Sequence, residues 1–210
     1  MSWPNLQYEK EAESQGYRSI AGIDEVGRGC IAGPVAAAAV IIPWGTDISW
    51  ATQVRDSKQL SSKKRQFLAP LIQATSISVA VGTVSSWAVD TWGIVEATRL
   101  AMFKAIEQLS CSPDFLLIDA LALPDIPLPQ RSIIHGDELS LSIACASIVA
   151  KVARDQHMIE MDEEYPGYHL DRHKGYGTKE HLLNLQKLGP CPIHRRTFAP
   201  LRQQIELQGH

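Results

Sequence analysis

A chain of 210 residues with 45% hydrophobic and 20% charged side chains can fill one core, with room for a small appendage, and excludes wholesale disorder. The net charge of −3 excludes a globally basic nucleic-acid binder, so any phosphate contact must come from a local patch. No apolar run reaches the roughly 18 residues of a membrane span, and the polar start MSWPNLQYEKEAESQG lacks a signal peptide's apolar stretch, which sets the expectation of a cytoplasmic protein.

In chain order, residues 7–15 read as a short helix. SIAGIDEV (19–26) and PVAAAAVIIP (34–43) read as two neighbouring antiparallel strands around the glycine-bearing turn GRGCIAG. The stretch 56–75 opens on DSKQLS and continues in helix formers; a third strand follows in ISVAVGTVS (77–85). Val95, Leu100, Met102, Phe103, Ile106 and Leu109 form a helical apolar face over 95–109. FLLIDA (115–120) is a short buried strand, ALPDIPLPQ a proline-rich loop, and RSIIH (131–135) a fifth strand. Residues 138–164 read as one long helix with Ile143, Ile148, Val149, Val152 and Ile159 as core contacts, and Thr178 caps a further helix through Gln186. Strands followed by alternating strands and helices predict an α/β domain with a mixed sheet.

The four cysteines (Cys30, Cys111, Cys145, Cys191) form no CxxC pair and read as ordinary small residues. His169 and His173 stand four apart without an evident third ligand, in YHLDRHKGYG, which reads as a surface loop rather than a zinc site. Between His169 and Arg202, seven Lys/Arg face two acids, a local basic balance that suits either phosphate or plain solvent. Residues 155–164 hold five acids and read as a solvated helix end.

Four carboxylates follow apolar runs or turns: Asp24 and Glu25 after AGI, Asp119 after LLI, and Asp137 after HG. Any one alone reads as a turn acid, and Asp137 fits the cap of the long helix. Four at equivalent topological places point instead to a shared cation, because clustered acids raise one another's pKa until a divalent ion neutralises them. An oxygen-only set suits Mg²⁺ or Mn²⁺.

The segments AGIDEVGRGCIAGPVAAAAVII, DSKQLSSKKR, LLIDA, HGDELSLSIACASIVAKVARD, GYGTKEH and HRRTF, in this order over about residues 18–200, closely resemble the ribonuclease HII family. The resemblance implies a ribonuclease H-like fold with a five-stranded mixed sheet flanked by helices and a C-terminal helical extension. It divides the chain into a lead-in (1–17), a catalytic domain (18–165) and a substrate-contacting segment (166–210). It implies an endonuclease that cuts the RNA strand of RNA–DNA hybrids and nicks 5′ of single ribonucleotides in DNA, with two Mg²⁺ or Mn²⁺ ions and products ending in 5′-phosphate and 3′-hydroxyl. Asp24, Glu25, Asp119 and Asp137 match the family's metal-binding acids. Gly27, Arg28 and Gly29 match the motif reading the ribose 2′-hydroxyl, and Tyr176 the tyrosine stacking on the next deoxyribose. Ser57 and Lys58 match a segment near substrate phosphate. His194, Arg195 and Arg196 are candidate contacts to the duplex backbone, consistent with the basic balance. Lys151 and Asp155 read as an i,i+4 pair, with Asp155 alternatively supporting the metal site.

Departures are Ala120 where the family commonly has glycine, and His135 where many relatives carry lysine; Glu138 adds an acid beside the metal site. The type 3 ribonuclease H is disfavoured by GRG in place of Gly-Lys-Gly, by Asp137 in place of Glu, and by the roughly eighteen residues before the first strand, too few for its added N-terminal domain. A transposase-like DNA nuclease would cut without a ribonucleotide, and a silent hybrid-binding module would have no use for the full acid set. A monomer is expected, and LRQQIELQGH shows no clear clamp-binding motif.

Overall fold

The computed structural model describes residues 3–43, 48–199 and 201. Five strands, β1 (Ile20–Val26), β2 (Val35–Ile41), β3 (Ser78–Val84), β4 (Phe115–Asp119) and β5 (Gln130–Ile133), form one sheet in the order β3-β2-β1-β4-β5. The first three pair antiparallel, while β4 runs parallel to β1 and β5 parallel to β4, so the sheet is mixed, as the alternation of elements predicts. Strand β2 shows how the layers arise. Its period of two sends Val35, Ala37, Ala39 and Ile41 into one apolar cluster and Ala38 and Val40 into another on the opposite face. Helix α3 (Ser86–Glu107) covers the first face, and α2 (Ser62–Thr75) with α5 (Leu141–Glu164) covers the second.

The apolar face expected for residues 95–109 holds in part: Leu100, Ile106 and Leu109 pack, partly buried, against the core. Met102 is buried with Ala97, Thr98, Ala101 and Ala105, whereas Val95 and Phe103 are exposed. A Cβ added to Gly82 would lie 2.1 Å from the Ala101 carbonyl oxygen, so the helix rides on β3 too closely for large side chains. Helix α3 also begins earlier than expected, with a non-helical break at Gly93.

The single helix expected over 138–164 is two. Helix α4 (Gly136–Leu139) ends at Ser140, whose extended backbone (φ −102°, ψ 130°) precedes α5. Ser140, not Asp137, caps α5 by accepting from the Ile143 N–H. The break is held from outside the segment. Glu9, buried in α1 (Gln7–Ser14), accepts from Ser140 Oγ at 2.6 Å, Ser142 Oγ at 2.7 Å and Ser142 N at 2.9 Å. This turn frees Asp137 from the cap position and leaves it beside the sheet.

The C-terminal part adds α6 (Leu170–His173) and α7 (Lys179–Leu188), the latter capped by Thr178 as predicted. Tyr168, Leu170, Leu185 and Leu201 pack with Ile31, Ala32 and Met158, fastening this part to the loop after β1 and to α5. Among the described residues no helix is long and apolar enough to cross a membrane. Arg202 and the rest of the tail LRQQIELQGH lie outside the described residues, Leu201 apart.

Candidate active site

Strands β1 and β4 are parallel with Ile23 opposite Ile118, so their next residues, Asp24 and Asp119, emerge side by side at the carboxyl ends. Asp24, Glu25 and Asp119 each bring one carboxylate oxygen within 4.8 Å of the others. The main chain orients them: Asp24 Oδ1 accepts from Glu25 N at 2.7 Å, and Asp119 Oδ1 from Gly136 N at 2.7 Å. Asp137 follows β5 and stands beside this trio, its Oδ2 3.4 Å from Lys58 Nζ. The Ser147 hydroxyl, a contact unread from sequence, lies between Asp24 and Ser57 Oγ, the latter at 2.8 Å. Ser57, though mostly buried, lines the same cleft as Asp24 and Asp119, and Lys58 is the solvent-facing member of DSK.

All four acids resist ionisation. Burial raises Asp24 well above the usual carboxylate range, and the charges of Glu25, Asp119 and Asp137 push further. Glu25 is raised by burial against the opposing pull of Arg28, and Asp119 by burial against the Gly136 N–H and Lys58. Asp137 is raised to about 6 by burial, against Lys58 and with the repulsion of Asp56 and Asp119. One oxygen of this set, Glu25 Oε2, is buried without any hydrogen-bond partner. A hard divalent cation answers each of these features: it takes oxygen ligands, satisfies the orphaned lone pair and offsets the repulsion. The residues therefore fit such an ion, whose binding would release protons and tighten as pH rises through about 6.

Gly27–Gly29 and Tyr176 line one cleft of about 200 Å³ with Asp24, Glu25 and Asp119; Asp137 and Arg196 do not. The glycine loop is held from below by two arginines, Arg195 and Arg154, the second of which no sequence pattern singles out. Arg154 of α5 donates to the carbonyls of Pro34 (2.9 Å), Lys174 (2.8 Å) and Ala32 (3.2 Å). Arg195 donates to those of Arg28 (2.9 Å) and Gly33 (3.0 Å from Nη2). Both are fully buried, so Arg195, and His194 with it, is not the surface contact expected. His173 is likewise buried rather than in a surface loop, because it stacks on His181. Arg196 is exposed, its N–H fixed by Asp90 at 2.8 Å. Lys151 pairs with Asp155 at 2.8 Å and lies 5.6 Å from the Tyr176 ring centre.

Ala120, the departure noted above, has φ 53°, in the left-handed region where a Cβ is strained. It is exposed, so its methyl is not part of the core. Ala120→Gly is therefore expected to stabilise the fold by about 0.5–1 kcal/mol, the relieved strain exceeding the added freedom of the unfolded glycine. A denaturant titration checks it, and a loss of stability would contradict the strain.

Comparison with known proteins places this arrangement. The family model "Ribonuclease HII" matches residues 21–201. A ribonuclease HII of Dehalococcoides mccartyi is 54% identical over 204 residues, covering 97% of each chain. Among solved structures, the ribonuclease H2 of Pyrococcus horikoshii superposes with a TM-score of 0.75 at 23% identity, over 90% of this chain and 98% of that one. A Bst ribonuclease HIII in complex with Mn²⁺ superposes with a TM-score of 0.68 at 20% identity, over 93% and 72% of the two chains.

Proposed function

The chain belongs to the ribonuclease HII family, hydrolases that cut the RNA of RNA–DNA hybrids, and from that premise we propose that it also nicks 5′ of single ribonucleotides in duplex DNA, using two divalent ions. What carries this reading is the meeting, in one cleft, of the three clustered carboxylates with Gly27–Gly29 and Tyr176. Asp24, Glu25 and Asp119 would hold the ions, with Asp137 completing the set from its place beside Lys58. Two Mg²⁺ or Mn²⁺ ions bound there would supply activation of an attacking water and charge stabilisation at the departing 3′-oxygen. Mn²⁺ is the ion in the Bst ribonuclease HIII complex.

The chain's own groups select the substrate. Gly29 has nothing within 4 Å of where a Cβ would stand, so its bareness serves an incoming sugar rather than the fold. The main chain of Gly27–Gly29 then meets the 2′-hydroxyl, the group that distinguishes RNA from DNA. Tyr176, 40% exposed at the cleft, stacks on the following deoxyribose. Lys58 and Arg196, both solvent-facing, contact phosphates on either side. Residues 18–165 then carry the catalytic acids together with the glycine loop and Lys58, and the segment 166–210 adds substrate contacts through Tyr176 and Arg196. Water, not the 2′-hydroxyl, is the nucleophile, so the products carry 5′-phosphate and 3′-hydroxyl.

A DNA duplex with one ribonucleotide, incubated with Mg²⁺ or Mn²⁺, tests this. Nicking on the 5′ side of the ribonucleotide is expected. An intact duplex, with hybrids still cut, would sink the single-ribonucleotide reading.

A further inference from the structure

Behind Tyr176 runs a row of buried imidazoles whose protons can be placed by elimination. The main-chain N–H of Cys191 can only donate, and it lies 3.1 Å from His194 Nδ1, so that nitrogen bears a lone pair. A neutral His194 ring then carries its proton on Nε2, which lies 3.1 Å from His181 Nε2. His181 Nε2 must accept, so its proton sits on Nδ1, 2.9 Å from the Tyr176 carbonyl oxygen. That carbonyl also accepts from Thr178 N at 2.8 Å. His173 stacks on His181 with ring centres 4.2 Å apart; it accepts from Gly175 N at 3.3 Å and bonds the Tyr168 carbonyl at 2.9 Å through Nε2. On the other side, the Gly175 carbonyl accepts from Ile31 N at 2.9 Å and Ala32 N at 3.3 Å, just beyond the glycine loop. The main chain around Tyr176 is thus fastened to the glycine loop on one flank and to the histidine row on the other.

We propose that His194 and His181 are positioning residues, a tautomer-locked pair that clamps the Tyr176 carbonyl and thereby sets the angle of its ring at the sugar following the ribonucleotide. The inference rests on the reading that Tyr176 touches substrate. Burial keeps both rings neutral, with His181 and His194 each lowered to about 4, as the lone-pair assignments require. A proton added to His181 Nε2 would face the His194 Nε2–H and break the row.

Three variants separate this role from plain packing. For each, kcat and KM are measured on a duplex with one ribonucleotide and on an all-RNA hybrid, and the ratio of the two kcat/KM values is the readout. Tyr176→Ala and His181→Leu are each expected to lower that ratio about tenfold, and His181→Asn, whose amide N–H stands where Nδ1–H stood, to restore it to within about threefold. Equal loss in His181→Leu and His181→Asn would assign the ring to packing and overturn the clamp. A shift in Tyr176→Ala with none in His181→Leu would overturn it as well, whereas no shift in Tyr176→Ala would remove the substrate role of Tyr176 itself. Nitrogen-15 imidazole spectra of the wild type at neutral pH test the row without any variant: His194 is expected as the Nε2–H form and His181 as the Nδ1–H form, and any other pair of tautomers overturns it.

Discussion

Asp24→Asn is expected to lower cleavage by about 10³-fold while hybrid binding stays near that of the wild type, because the change removes a charge aimed at the cation and leaves the substrate-reading loop untouched. The same variant is expected to be at least as stable as the wild type in metal-free buffer at neutral pH. The sign follows from the raised pKa: Asp24 ionises more readily when unfolded, so ionisation favours unfolding as pH climbs from 3.8 toward the folded value. Asparagine keeps an acceptor for the Glu25 N–H and carries no charge to repel Glu25 and Asp119. Adding Mg²⁺ or Mn²⁺ at about 100 times its dissociation constant should then stabilise the wild type by about 2.7 kcal/mol and the variant far less. Thermal melts with and without metal, beside a cleavage assay, read both effects. Full activity in the variant, or a metal-free melt well below that of the wild type, would contradict the account of the site.

Gly27→Ala is expected to destabilise the fold by about 3–5 kcal/mol, and Gly29→Ala to leave stability nearly unchanged while lowering cleavage of single ribonucleotides by about tenfold or more. The two glycines look alike in the motif but differ in surroundings. Gly27 has φ 91°, and a Cβ there would stand 2.2 Å from Arg154 Nε. Arg154 cannot step aside, because three carbonyls hold its guanidinium in a buried place where an unpaired charge is costly. A methyl on Gly29 meets no protein atom within 4 Å and would project into space that the ribose is proposed to fill. Denaturant titration paired with the single-ribonucleotide assay distinguishes them. Equal stability losses would mean that both glycines serve the fold alone.

Much of this molecule was readable in the chain. Apolar runs marked the strands, by alternation in β3 and by near-continuous apolar stretches in β1, β2 and β4, whose two faces are both covered. The acids stood out because a carboxylate directly after a buried run demands a partner. Less readable was whatever depends on contacts across the chain. Helix α5 lost its first turn to Ser140 because Glu9, 131 residues away, holds that turn open. The fully buried side of α3 proved to be mostly small residues, with Val89 and Met102, because β3 lies so close beneath it at Gly82.

The sequence by itself determined the α/β class, through local pattern, and the family, through its ordered motifs; residue type pointed to oxygen ligands, while the glycine loop and Tyr176 stood out only through the family resemblance. The tertiary structure alone decided which acids meet. It set Asp24 beside Asp119 through the register of two parallel strands and left Asp137 against Lys58. It also turned Arg195, His194 and His173 inward. The physical reason is common to all of these. Periodicity and propensity act over a few residues, whereas burial, hydrogen bonding and charge repulsion act between residues that only folding brings together.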